Sequence, residues 1–317
     1  LEKKSEFTPR QRLWYIRCKE VILSTGSIER PIVFGNNDTP GVMLSSGAKE
    51  YMKVYGVLVG RKPIIFTNND SAYETAIEFK NNGADPLIID TRKEQSSDLI
   101  NDAKNKDIKI KFNHAVIKAD GYKKVKSAII GELSEDKKTY KNTSSVECDC
   151  ICVSGFWTPS VHLASQSGNK LKFDKEIDAF VPDKSKQEEI TVGAANGNFT
   201  LHDTLNAGFN AGSQVSKKLN NKDVDIQIPN VTEKKHKTHD KFWCAPLPKN
   251  IKAKRFVDFQ NDVSVTDIEI ALREGYRSIE HVKRYTTLGM ATDQGRTSNL
   301  NGLQLVSNIE NKIVPEV

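Results

Sequence analysis

The chain has 317 residues, 37% hydrophobic and 28% charged, which is enough for more than one buried core. Its 47 basic and 41 acidic residues leave a net charge of +6 spread along the sequence, without the clustered Lys, Arg and aromatic pattern of a nucleic-acid binder. No apolar run approaches the roughly 18 residues that a membrane span requires.

The chain starts Leu1-Glu-Lys-Lys and ends Asn311-Lys-Ile-Val-Pro-Glu-Val317, and we expect an internal piece of a longer subunit. Residues 13–18 and 20–24 read as two strands, the second running into Thr25-Gly-Ser-Ile-Glu-Arg-Pro31. A strand closing on Thr-Gly, with Arg-Pro shortly after, resembles the segment by which two-dinucleotide-domain flavoprotein reductases leave their first nucleotide domain. That resemblance makes Thr25 and Gly26 candidate cofactor neighbours, since glycine permits close approach.

Ser46 to Tyr55 reads as a helix closed by Gly56. Next come a strand at 62–67, a helix at 71–81 with Ala72, Thr75, Ala76 and Phe79 inward, and a strand at 86–91. This is a βαβ unit of about thirty residues, the size of a dinucleotide-binding element. Its first turn, Thr67-Asn-Asn-Asp-Ser71, holds no glycine, and Asp70 would repel a phosphate. We therefore expect a second Rossmann-like domain without a nucleotide of its own.

Residues 108–117 and 124–133 alternate as antiparallel strands. Cys148, Cys150 and Cys152 read as one face of a buried strand, because C-x-C-x-C lacks the usual spacing of zinc ligands. Five cysteines make no complete disulfide framework, and a reducing, cytoplasmic setting fits them. His162 reads as a packed histidine. Residues 190–197 look like the last strand of the first domain, followed by a small-residue helix through Ser213. The Lys-, Asn- and Asp-rich stretch after 220, including the basic run 233–241, reads as a solvated linker.

In the terminal stretch Ser264 can cap a helix with Asp267 three residues on, and Gly275 can stop it. Ser278 can cap a second helix, with Ile279, Val282 and Tyr285 at helical spacing until Gly289. The loop Gly289-Met-Ala-Thr-Asp-Gln-Gly-Arg-Thr-Ser298 then offers N–H groups, hydroxyls and one Arg suited to a phosphate or a flavin edge.

Three stretches carry a wider resemblance: residues 33–43, residues 256–264 and residues 271–299, the last containing Glu-His-Val-Lys-Arg-Tyr-Thr-Thr-Leu-Gly-Met-Ala-Thr-Asp-Gln-Gly-Arg-Thr-Ser. They resemble the alpha subunit of heterotetrameric sarcosine oxidase. In related amine and opine dehydrogenases a similar helical module carries a 2Fe–2S cluster on four cysteines. The matching positions here are Asp258, Gln260, Asp293 and Ser298, so no cluster is expected.

The resemblance implies an α/β fold. Its core is of the two-dinucleotide-domain, flavoprotein-reductase-like (Rossmann) type, incomplete at its N-terminus, and a small helical ferredoxin-like module follows. The expected divisions are 1–58, the end of the first nucleotide domain; 59–145, the second; 146–219, the return to the first; 220–241, a linker; 242–309, the helical module; and 310–317, the lead into a further domain. The family demethylates sarcosine to glycine, yielding formaldehyde or methylene-tetrahydrofolate and hydrogen peroxide.

By the same resemblance NAD sits at the first nucleotide domain, with Ala194, Phe199 and Leu201 as candidate contacts. FMN sits at the interface with the beta subunit, FAD in the beta subunit, and tetrahydrofolate in a C-terminal domain outside this chain. The partners are the beta, gamma and delta subunits. Lys283, Arg284, Thr292, Gln294, Arg296, Thr297 and Ser298 are the candidate FMN contacts, because a guanidinium fork and hydroxyls suit a phosphate. No catalytic amine-oxidising residue and no metal ligand is assigned to this chain. The rival readings are the alpha subunit of an amine, proline or opine dehydrogenase, and a non-catalytic nucleotide-binding scaffold.

Overall fold

A computed structural model describes residues 7, 9, 11–220, 227–231 and 239–316. Segments 221–226 and 232–238 of the expected linker lie outside the described residues. Residues 13–18 do not form the first expected strand. Trp14 and Tyr15 stand exposed, and a strand needs a hydrogen-bonded neighbour, which no described segment supplies. The second expected strand is real: β1 (Val21–Leu23) pairs in parallel with Glu189–Thr191.

After β2 (Ser27–Glu29) the chain enters an α/β unit. β3 (Val42–Leu44) leads directly into α1 (Ser45–Tyr55), which Gly56 closes in the left-handed region at φ 64°. β4 (Pro63–Thr67), α2 (Ser71–Asn81), β5 (Leu87–Asp90), α3 (Asp98–Asn105) and β6 (Lys109–Lys111) follow. β7 (His114–Gly121), β8 (Val125–Leu133) and β9 (Tyr140–Glu147) form an antiparallel meander, and β10 (Cys150–Ser154) returns to the parallel sheet. The parallel sheet runs β3-β10-β4-β5-β6.

Alternation along the buried strands makes three layers. Ile64 and Phe66 of β4 face Val116, Val125 and Ile130 of the meander. Ile65, between them, faces the helical layer of Ala48, Met52, Ala76, Phe79 and Ile100. The inward residues expected of the 71–81 helix are all buried.

Three expectations are corrected by this sheet. Residues 108–117 are two strands rather than one: Asn113, at φ 54°, turns the chain from the parallel sheet into the meander. Cys150 and Cys152 share the helical face, with sulfurs 3.6 Å apart, whereas Cys148 precedes the strand and packs on the opposite face. The unit also extends beyond 59–145 on both sides, because β3 and β10 are neighbours in its sheet.

β11 (Trp157–Pro159) pairs with β2 and brings the chain back. α4 (His162–Gln166), the hairpin β12 (Leu171–Asp174) and β13 (Ala179–Pro182), and β14 (Glu189–Thr191) follow. A single 3-10 turn, Gly193–Asn196, precedes α5 (Leu201–Asn220), which runs past the expected end at Ser213.

The terminal module holds β15 (Phe256–Asp258), β16 (Val263–Ser264), α6 (Val265–Arg273), α7 (Ile279–Thr286) and α8 (Asn299–Glu310). Ser264 and Asp267 make the expected capping box. α7 stops at Thr286, three residues before Gly289, because Thr287 already takes the left-handed conformation at φ 65°. The module is fastened to the α/β unit by the reciprocal pair Asn37 Nδ2 to Phe256 O, 2.8 Å, and Phe256 N to Asn37 Oδ1, 2.9 Å. Val33 joins its core of Val257, Ile268, Val282, Leu288 and Val306.

Candidate functional site

A cleft of about 480 Å³ lies between the start of the parallel-sheet unit and the segment that follows β10. Its lining includes Ser27 and Glu29 from β2, Ser46 and Lys49 from α1, Asn69 and Ser71 at the start of α2, and Ala194 and Phe199 after β14. Of the expected NAD contacts, Ala194 and Phe199 reach this cleft. Thr25, Gly26 and Leu201 do not line it. Thr25 Oγ1 donates to Ser160 O at 2.7 Å, open space stands where a Gly26 Cβ would be, and Leu201 is exposed at the head of α5.

The inner wall of the cleft is built under constraint. Phe156 holds φ 83°, a costly conformation for a bulky residue. Its ring meets Phe199 edge-on at 5.1 Å and stacks on His239 at 4.2 Å. Behind it Arg30 is buried, and its guanidinium lies 4.1 Å from the Trp243 ring centre. Arg30 donates to the carbonyls of Gly155 at 2.6 Å, Asp178 at 3.1 Å and Ile177 at 3.2 Å. Burial pulls its pKa down to about 9, so it remains cationic at neutral pH. His239, held below its usual value by burial, sits 3.4 Å from the Asp178 carboxylate, and Lys241 reaches the same carboxylate at 2.9 Å. Residues 239–241 are thus docked rather than solvated linker, because aromatic stacking and ion pairing bring them onto the domain boundary.

Glu29 is 3% exposed at the end of β2, and its Oε2 accepts from Ser46 N at 2.7 Å. Burial raises the pKa of its carboxyl. Lys49, opposite, pairs with Glu74 at 2.8 Å.

At the start of α2 the chain fills the place where a Rossmann domain would hold a pyrophosphate. Asn69 Oδ1 accepts from Ser71 N at 3.0 Å and from Ser71 Oγ at 2.6 Å, and Asn69 Nδ2 donates to Ser154 at the end of β10. Trp157 Nε1 donates to Ser71 Oγ at 3.0 Å. Arg92 bridges Asp70 and Asp90, both at 2.7 Å, in a buried triad to which the Tyr73 hydroxyl adds a 2.7 Å bond to Asp90. The turn thus has internal partners where a nucleotide would need free donors.

The terminal loop likewise spends most of its backbone donors on itself, which corrects its reading as a ready phosphate cradle. Asp258 Oδ2 accepts from Gly289 N at 2.7 Å and Ser298 Oγ at 3.4 Å, and Asp258 Oδ1 accepts from Gln260 N at 2.9 Å. Gln260 Oε1 accepts from Thr292 Oγ1 at 2.8 Å and Asp293 N at 3.4 Å, and Asp293 Oδ1 accepts from Gly295 N at 3.0 Å. The four positions matching the cluster cysteines therefore do come together, as a hydrogen-bonded network. Among the described residues no group of three or more His, Cys, Asp or Glu side chains is placed to hold a metal. The loop glycines serve the same packing: a Cβ on Gly289 or Gly295 would lie 1.9 or 2.3 Å from the Asn299 side chain.

The expected FMN contacts separate. Lys283 and Arg296 line a cavity of about 230 Å³ with His162, Phe180 and Leu303. Thr297 lines another, of about 270 Å³, with Phe34, Met43 and Phe259. Arg284 turns outward to Glu280, Gln294 Nε2 donates to Ala291 O, and Ser298 is buried against Asp258. His162 is half-buried in the first of these cavities rather than packed in a core. Its pKa is held low by burial and by Arg296.

Residues 252–317 match the family model described as the sarcosine oxidase A3 domain. Sarcosine oxidase subunit alpha of Corynebacterium sp. (strain P-1) is 32% identical over 304 residues, covering 94% of this chain and 31% of that protein. The subunit alpha of Rhizobium meliloti (strain 1021) is 36% identical over 302 residues, covering 94% and 29%. This chain is a homologue of sarcosine oxidase subunit alpha. It spans about a third of the length of these alpha-subunit relatives, 31% and 29%. Among solved structures, L-proline dehydrogenase from P. horikoshii superposes with a TM-score of 0.66 at 21% identity, covering 94% of this chain and 55% of that one. That likeness is one of fold: a dinucleotide-binding, Rossmann-like architecture.

Several side chains of this alpha-subunit homologue's site left little trace in the sequence. Nothing in the stretch Thr25-Gly-Ser-Ile-Glu-Arg-Pro31 singles out Glu29, and His239 lies in a basic run that reads as solvated linker. Arg30 carried a signal, the Arg-Pro pair after Thr-Gly, but not its role beneath Phe156.

Proposed function

We propose that this chain is part of the alpha subunit of a flavin-dependent sarcosine oxidase, holding NAD in its first nucleotide domain and one wall of an FMN site. The whole enzyme would convert sarcosine to glycine, with formaldehyde or methylene-tetrahydrofolate and hydrogen peroxide as the other products. The amine would be oxidised at FAD in a beta subunit, with gamma and delta subunits completing the assembly and tetrahydrofolate bound in a C-terminal domain outside this chain. The observation that carries the reading is identity of 32–36% sustained over 94% of the chain, through both nucleotide-domain portions and the terminal module.

The residues present fit these groups. FMN, when bound, would relay electrons between the beta subunit's FAD and oxygen. Lys283 and Arg296 offer two cations on one cavity wall, suited to a flavin phosphate, and Phe180 and Leu303 give that cavity an apolar side. His162, kept neutral by burial and by Arg296, can accept or donate a hydrogen bond there without adding charge. The filled turn at Asn69 and the Asp70–Arg92–Asp90 triad support a second Rossmann unit that serves as structure rather than as a nucleotide site.

The test is Arg296→Ala and Lys283→Ala in the full-length alpha subunit co-expressed with its beta partner. Bound FMN is expected to fall at least several-fold, with the beta subunit's FAD unchanged. Undiminished FMN and unchanged inter-flavin electron transfer would refute this placement.

A further inference from the structure

We propose that the cleft walled by Glu29, Phe156 and Phe199 receives a flat, cationic aromatic ring carrying a primary carboxamide, with Glu29 accepting the amide N–H. The inference rests on the NAD reading above, in which that group is the oxidised nicotinamide end of the dinucleotide.

Place, shape and charge agree. The cleft opens at the carboxyl ends of β4 and β10, the end of a parallel sheet outside which ligands usually bind. Its volume of about 480 Å³ accommodates a ring with its ribose. Phe156 and Phe199 stand edge to face on one wall, and the His239 stack fixes Phe156. Aromatic faces attract a cationic ring.

The carboxylates lining the cleft are Glu29, Asp70, Glu74 and Asp203. Asp70 is bound to Arg92 and Glu74 to Lys49, which leaves Glu29 as the buried carboxyl facing the ring space. A carboxyl disfavoured by burial gains more than an exposed one from a cation placed against it. The nicotinamide end of the same dinucleotide is thus the part that matches this cleft.

The experiment uses the full-length alpha subunit with its beta partner, in wild-type form and as Glu29→Ala and Glu29→Gln. Each preparation is equilibrated with excess ADP-ribose, which lacks the ring, or with NADH, whose ring is neutral, and the NAD retained is measured. Wild-type protein is expected to prefer NAD over ADP-ribose at least tenfold, the size of one charge-assisted hydrogen bond. Glu29→Ala should remove that preference while leaving ADP-ribose affinity unchanged. Glu29→Gln, which preserves shape if the alanine variant does not fold, should lose the preference for NAD over NADH. Equal weakening of NAD and ADP-ribose, or an unchanged preference in Glu29→Gln, would overturn the assignment while leaving the NAD reading intact. Wild-type protein that carries no NAD would overturn both.

Discussion

His239 shows how a residue can be placed by partners that are distant in sequence. Its ring lies flat on Phe156 and its Nε2 faces Asp178, yet burial keeps it below its usual pKa. In the unfolded chain a histidine gains its proton near pH 6.5, and in the folded chain only below that. Between those values the unfolded form binds more protons, so stability falls as pH is lowered through about 6.5. The midpoint of thermal unfolding should therefore drop between about pH 7.5 and pH 5.5, and His239→Phe, which keeps the stack, should flatten part of that slope. A slope identical to wild type would show that the docked histidine stays neutral for no energetic reason. None of this was legible in Lys-Thr-His-Asp-Lys, where every neighbour is polar. Asp70 was readable as an obstacle to phosphate, but its partner Arg92 was not, since a separation of 22 residues hides a contact that exists only once β4 and β5 pair.

At the scale of elements, periodicity carried most of the information. The helix at 71–81, the strand at 63–67 and the capping box at Ser264 stand where apolar spacing and cap chemistry put them. The sequence was least readable where two elements share one pattern. The strands β6 and β7 alternate without a break in hydropathy, and only the positive φ of Asn113 separates them. α8 was missed because Gly302 and three asparagines dilute its apolar stripe; in the fold Gly302 is needed where a Cβ would meet Leu288 Cδ2 at 2.4 Å. The loop between α7 and α8 was read as a set of free donors, whereas Asp258, Gln260 and Asp293 take them up. Asp258→Ala should leave the Gly289 N–H without its buried acceptor and destabilise the module by about 1–3 kcal/mol. Denaturant unfolding measures that loss, and faster proteolysis confined to residues 287–298 would locate it. A variant as stable as wild type would mean that the network does not brace this loop.

Over the whole molecule, the three-layer unit, the segment from β11 to α5 and the terminal module meet around a few buried polar bonds. Asn37 ties the module to the unit, Asn301 Nδ2 donates to Pro31 O at 2.9 Å, and Arg30 holds the 177–178 carbonyls against Gly155. The fold class and the homology were readable from motifs along the chain. The division of the FMN candidates between two cavities was not, because it depends on how α7, the glycine loop and β11 come together.

We expect the full-length subunit to hold nucleotide and flavin, with hydrogen-bonded side chains where iron–sulfur ligands would stand. Cofactor analysis of the full-length alpha subunit purified with its beta partner tests this most directly, by flavin absorbance, iron and sulfide assay, and identification of released nucleotide. FMN, FAD and NAD without iron are the expected result. Stoichiometric iron and sulfide would contradict it and point to a dehydrogenase that passes electrons through a cluster.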